Sequence, residues 1–211
     1  DLSSIQEAFV SIRAFMRGRQ HFPPIIVRST VSPKAIRLLF QEYFLSEGLQ
    51  AHLVLNPEFL REGSAIDDFL NPSFCIAGGD NPDAIDCALN LYASIDCQKY
   101  RVSLESAGLL KHACNAFHAL KISFANEIGR LADQIGADGE EVMRILGSDT
   151  KLNASAAYLR PGFAFGGPCL GKDLNSLLHV AQQHGLTLPL LENISQSNEM
   201  HLKSCVDAIV S

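Results

Sequence analysis

Apolar residues along this chain recur with two periods, that of a helix face and that of a short buried strand, and the switches between them mark the elements. Ile5, Ala8, Phe9 and Ile12 lie at helical spacing behind Asp1 or Ser3 as a cap, and Pro23-Pro24 stop that helix. Ile25-Ile26-Val27-Arg28-Ser29-Thr30 is a β-branched run of the kind buried in a parallel sheet, with a polar end at Ser29-Thr30. Pro33 opens a helix carrying Ile36, Leu39, Phe40, Tyr43 and Phe44, and Gly48 closes it ahead of a second strand at 52–55. A third strand at 73–77 runs into Gly78-Gly79, and Asn81 with Pro82 starts a helix through Ala84, Ile85, Ala88 and Leu91. A weaker strand covers 98–103. Strand–helix–strand units of this kind build doubly wound sheets, whose ligands lie at the carboxyl ends of strands.

From Ser103 or Glu105 to Gly136 the pattern becomes one long helix. Ala107, Leu110, Cys114, Phe117, Phe124, Ile128, Leu131 and Ile135 form an apolar stripe, interrupted at Lys121. About thirty residues at 1.5 Å per residue make roughly 45 Å, more than a small domain can cover. The helix is therefore expected to bridge two domains or to pack on a second subunit. Asp138-Gly139-Glu140-Glu141 reads as a capping box opening a short helix to Gly147, and further helices are expected from Asp173 to Gly185 and over 190–209. The expected fold is α/β: the second half of a doubly wound, Rossmann-like sheet in residues 1–103, then a helical domain with one long helix in 104–211. The glycine-rich turn that holds a dinucleotide pyrophosphate after a first strand does not occur in these residues, so the first half of such a domain is expected to lie outside them.

Composition narrows the partners more than the fold. A hydrophobic content of 47% supports a proper core, and a net charge of -6 with 17 scattered basic residues argues against nucleic acid. No apolar run approaches the roughly 18 residues of a membrane span, and no leader pattern opens the chain, which points to a cytoplasmic protein with no membrane partner. Six cysteines at irregular positions suit neither a disulfide framework nor a CxxC pair, and the seven histidines show no zinc spacing, so no metal is expected.

Three sets of polar residues carry candidate chemistry. Four glycines within residues 161–173 lead to Cys169, which is flanked by Lys172 and by Asp173 as the expected N-cap of the next helix. A cysteine just before a helix start and beside a lysine is placed for reactivity as a nucleophile. Glu58 and Glu62 follow the second strand, and Lys111 and Asn115 share one face of the long helix at i, i+4. Each set also has an ordinary explanation, namely a buried thiol in a turn, a solvated loop, and a surface lysine beside a helical asparagine.

Asn56-Pro57-Glu58-Phe59-Leu60-Arg61-Glu62-Gly63, then Leu110-Lys111 with Asn115-Ala116-Phe117, Lys121-Ile122 and Asn126-Glu127, then Phe165-Gly166-Gly167-Pro168-Cys169-Leu170-Gly171-Lys172-Asp173, resemble in order and spacing the UDP-glucose/GDP-mannose dehydrogenase family. Residues 158–165 resemble the GDP-mannose branch more than the UDP-glucose branch. Pro168 and Gly171 depart from the family, where serine commonly precedes the cysteine and proline commonly stands two residues after it.

The resemblance implies an oxidoreductase that uses NAD in a four-electron oxidation of the C6 alcohol of a nucleotide sugar to the uronate, a reaction of polysaccharide biosynthesis. It implies Cys169 as the covalent nucleophile, Lys111 and Asn115 at the oxyanion, and Glu58 or Asp173 as the base for thioester hydrolysis. Thr30, Glu62 and Lys172 match positions near NAD, and Glu58, Phe59, Leu60, Arg61, Tyr158, Gly162 and Gly166 match contacts to the sugar nucleotide. Residues 1–103 would then be the later part of the NAD-binding domain, and 104–211 the central domain with a homodimer through the long helix. The alternatives are a non-catalytic dimerisation or scaffold fragment and, with less support, a thiol redox protein, since Cys169 has no resolving cysteine near it in sequence.

Overall fold

The computed structural model describes residues 2–19, 22–155, 157–158, 162–166 and 168–210. The expected cap Asp1, and the glycine-loop positions 159–161 and 167, lie outside the described residues. The chain forms two compact units, Asp1–Ala116 and Phe117–Ser211.

The first unit is an α/β layer. Helix α1 (Ser3–Met16), strand β1 (Ile25–Val27), helix α2 (Pro33–Tyr43), strand β2 (Leu53–Leu55), helix α3 (Ala65–Leu70), strand β3 (Phe74–Gly79), helix α4 (Pro82–Asn90) and strand β4 (Gln98–Val102) precede the long helix α5 (Leu104–Ile135). The sheet order is β1-β2-β3-β4. β1 runs parallel to β2 and β3 to β4, each pair joined by the crossover helix expected, but β2 and β3 are antiparallel. The reversal lies at the connection over residues 56–73, which carries α3, since adjacent antiparallel strands need no crossover helix between them. α3 is an element the sequence pattern does not show.

Period-two alternation sorts the strands between two cores. Ile25, Val27, Leu53, Leu55 and Ile76 face α1, α2 and the start of α5, while Val54, Cys75 and Ala77 face α4 with Tyr92. Both sheet faces are thus covered, as the short β-branched runs require. Local signals account for several helix ends. Asn81 Oδ1 accepts the Ala84 N–H at 2.9 Å, Asp138 Oδ1 accepts from Glu141 N at 3.0 Å, and Gly136 closes α5 at a φ of +73°.

The second unit is helical. The later part of α5 packs with α7 (Pro168–Gln183) and α8 (Pro189–Val210) around Leu131, Leu174, Ala181, Leu188 and Leu191, and α6 (Gly139–Ser148) lies between in sequence. α7 corrects an expectation. It begins at Pro168, so Cys169 lies inside the first turn and Asp173 one turn further along, not at the N-cap. Proline suits the first helical position because its missing N–H needs no partner there.

Candidate active site

Within the first unit the site is built on the carboxyl ends of β1 and β2. The polar end of β1 gives Ser29 and Thr30, and the end of β2 gives Asn56, whose side chain is fixed from both sides. Its Nδ2 donates to the Ile76 carbonyl at 2.8 Å and its Oδ1 accepts from the Tyr92 hydroxyl at 2.5 Å. Asn56 is 2% exposed, so both bonds are made away from water, and they set the exit of the chain into Pro57 and Glu58.

Glu58 and Lys111 then meet. Lys111 Nζ lies 3.2 Å from Glu58 Oε1 and 5.3 Å from the centre of the Phe59 ring. Lys111 is 7% exposed, so a cation is held where water hardly reaches. Glu58 Oε2 accepts the Leu60 N–H at 2.7 Å, and this bond first, then Lys111, holds the Glu58 carboxyl below the usual carboxylate range despite partial burial. A glycine allows the approach of α5. A Cβ at Gly108 would run into the Pro33 ring at the start of α2 and lie 3.5 Å from Leu55 Cδ1, so bare backbone is needed one turn before Lys111.

A small cavity lined by Ser29, Thr30, Val31, Pro57, Lys111 and His112 lies beside this ion pair. At about 10 Å³ it has room for no more than a water molecule, and it sits at the carboxyl end of a strand, the edge at which α/β sheets take their ligands. Asn115 lies one turn beyond Lys111 and is exposed, as is Glu62. Arg61 is occupied within the chain. Its guanidinium forks onto Asp68 of α3 at 2.6–3.2 Å while its own N–H donates to Asp68 Oδ2, and Arg61 accordingly holds the Asp68 carboxyl well below the usual range.

Within the second unit Cys169 is exposed on the first turn of α7, with Asp173 four residues later on the same face. Lys172 Nζ lies 3.3 Å from Asp173 Oδ1, both side chains being largely in solvent. Tyr158 holds a φ of +61° and is 88% exposed, an unusual backbone conformation for a bulky residue. Phe165 is held by Asn198 and Gly162 by His201, both on α8. Glu127 of α5, buried, accepts the N–H groups of Leu190 and Leu191 at 2.8 and 3.1 Å and so caps α8.

Asp68, Tyr92, Asn198 and His201 are the residues that sequence reasoning passes over. Each acts through a partner distant in sequence or on a backbone group, and neither leaves a spacing signal.

The first 96 residues match the UDP-glucose/GDP-mannose dehydrogenase family, NAD binding domain, and residues 105–200 match that family's central domain. The GDP-mannose 6-dehydrogenase of Pseudomonas aeruginosa is 36% identical over all of this chain and 50% of its own length, and a UDP-glucose 6-dehydrogenase of Bacillus subtilis is 33% identical over all of this chain and 45% of its own. Among solved structures, a ternary complex of GDP-mannose dehydrogenase from Pseudomonas aeruginosa superposes with a TM-score of 0.92 at 36% identity, covering 100% of this chain and 49% of that one. A UDP-glucose dehydrogenase from Pyrobaculum islandicum gives 0.66 at 32% identity, covering 95% and 46%. The chain spans about half the length of these relatives. With both of its units matched in order, this chain belongs to the UDP-glucose/GDP-mannose dehydrogenase family.

Proposed function

We propose that the protein containing this chain oxidises the C6 alcohol of a nucleotide sugar to the carboxylate, with GDP-mannose the first substrate to test and UDP-glucose the second. The observation that carries the reading is the water-excluded Lys111, paired with Glu58 beside the Thr30 cavity. NAD, when bound, supplies the hydride acceptor for two successive two-electron oxidations. Thr30, Glu62 and Lys172 are the residues assigned to hold it, and Glu58, Phe59, Leu60, Arg61, Tyr158, Gly162 and Gly166 those assigned to the sugar nucleotide.

The chain's own residues handle the carbonyl carbon. The Cys169 thiolate adds to the C6 aldehyde, forming a carbon–sulfur bond and an alkoxide, which keeps the aldehyde from escaping. After the second oxidation the same carbon is a thioester. Water attacks it, a carboxylate takes the proton, and the carbon–sulfur bond breaks to return the thiolate and release the acid. Glu58 is one candidate for the proton acceptor, by its place against Lys111, and Asp173 is the other, with an ordered water as its further role. Lys111 has three N–H donors, of which Glu58 uses one, so the others remain for the oxyanion with the Asn115 amide.

We also assign residues 1–103 to the later part of the NAD-binding domain and 104–211 to a central domain that pairs with its copy through α5. These 211 residues by themselves hold no glycine-rich pyrophosphate turn, and little turnover is expected from them alone. The test is NADH formation by the full-length protein with each nucleotide sugar, against a Cys169→Ser variant that should make no uronate. Acid formed by the variant at the parental rate removes Cys169 from the mechanism.

A further inference from the structure

We infer that Asn198 and His201 of α8 are positioning residues for the loop that leads into Cys169. The inference deepens the reading above and rests on its assignment of Cys169.

Residues 162–166 bury little of themselves. Phe163 is 64% exposed and Phe165 38%, and a Cβ added at Gly162 or Gly166 would meet nothing within 4 Å. Apolar packing therefore does little to hold this stretch, and the entropy of a glycine-bearing loop works against a single conformation. Hydrogen bonds from one face of α8 supply the hold. Asn198 Oδ1 accepts the Phe165 N–H at 2.9 Å and Asn198 Nδ2 donates to the Phe165 carbonyl at 2.9 Å. Gripping the N–H and C=O of one residue fixes both its position and its rotation, as pairing with a neighbouring strand does. His201, three residues further along α8, donates from Nε2 to the Gly162 carbonyl at 2.8 Å. A carbonyl only accepts, so the proton is on Nε2. Cys205 Sγ lies 3.5 Å from the same nitrogen.

The anchor is itself anchored. Leu188 and Leu191 of α8 lie in the core of the second unit, to which α7 contributes Leu174 and Ala181, and Glu127 caps the start of α8. Cys169 stands four residues after Phe165, on the first turn of α7. The chain is thus tied on both sides of the nucleophile, upstream by Asn198 and His201 and downstream by the packing of α7. Nucleophilic attack tolerates misplacement by no more than about an ångström before losing about a hundredfold in rate.

The test uses the full-length protein with Asn198→Ala, His201→Ala and His201→Gln. The first two should speed hydrogen–deuterium exchange at residues 162–166 and lower kcat for the acid about tenfold or more, with the KM for NAD within about twofold of the parent. Loss of alignment should also let aldehyde escape, raising the ratio of NADH to acid above two. The glutamine amide can replace the Nε2–H donor, so His201→Gln should restore exchange and kcat where His201→Ala does not. Unchanged exchange of Phe165 in Asn198→Ala overturns the inference, as does an unchanged kcat. Cys169→Ser separates the two readings. Should that variant still make acid, the nucleophile assignment falls, while faster Phe165 exchange on removing Asn198 would still support the anchor.

Discussion

At the scale of single residues, the ion pair of Glu58 and Lys111 concentrates the chemistry of the first unit. Truncating Lys111 to alanine leaves Glu58 with its Leu60 bond, so the effect should fall on the reaction rather than on the loop. A donor lost from an oxyanion site costs roughly 10²–10³ in kcat, and that is the expected outcome for Lys111→Ala. An unchanged kcat with a raised KM for the sugar would make Lys111 a binding group only. Glu58 makes a second prediction. Its carboxyl is depressed by the Leu60 N–H and by Lys111, so its contribution to stability is present above the ordinary carboxylate pKa of about 4.3 and is lost as the pH falls through its lower folded value. Denaturant midpoints followed downward from about pH 6 should therefore fall less steeply for Glu58→Gln than for the parent, and parallel curves would contradict the assignment. Both residues were legible as candidates, since Lys111 borders an apolar stripe and Glu58 follows a strand. Their contact was not legible, because it is made by an approach of α5 to β2 that no local spacing records.

At the scale of elements, that approach depends on Gly108 lying against Pro33 and Leu55. Gly108→Ala should push the start of α5 off α2, costing about 1–3 kcal/mol of stability and lowering activity through Lys111. A thermal midpoint and kcat equal to the parent's would show that Pro33 yields without cost. Which elements the sequence disclosed follows from the same physics. Asn81 and Asp138 announce helices because a side-chain oxygen must meet a bare N–H, and both bonds are present. α3, with six residues, is too short for a helical period to show. The start of α7 was misplaced because Asp173 resembles a cap, whereas Pro168 supplies the actual first position. Strand direction is written nowhere within a strand, so the reversal at β3 had to come from the structure.

At the scale of the whole molecule, α5 carries exposed Phe117 and Leu120, three residues apart on one face, with Ile122 on the opposite side, and the pairing proposed through α5 would cover the face of Phe117 and Leu120. Light scattering at tens of micromolar should give a dimer, and Phe117→Glu with Leu120→Lys should shift it to monomer. A parental protein that is monomeric at that concentration removes the pairing through α5. The family was legible because three motifs follow one another in order along the chain. The support beneath the motifs was not, since Glu127 reaches α8 and Asn198 reaches Phe165 across long stretches of sequence.

Asn198 grips Phe165 by its backbone alone, and this shapes how the two positions can evolve. The amide reads no side chain at 165, so that position is free to take any residue with a backbone N–H, which leaves out proline alone, while 198 is not. Substitutions at the two sites then carry no mutual information, and a search for correlated changes among homologues would pass over one of the contacts on which the loop depends. Lineages that altered the residue at 165 could diversify the surface ahead of Cys169 without a matching change at 198.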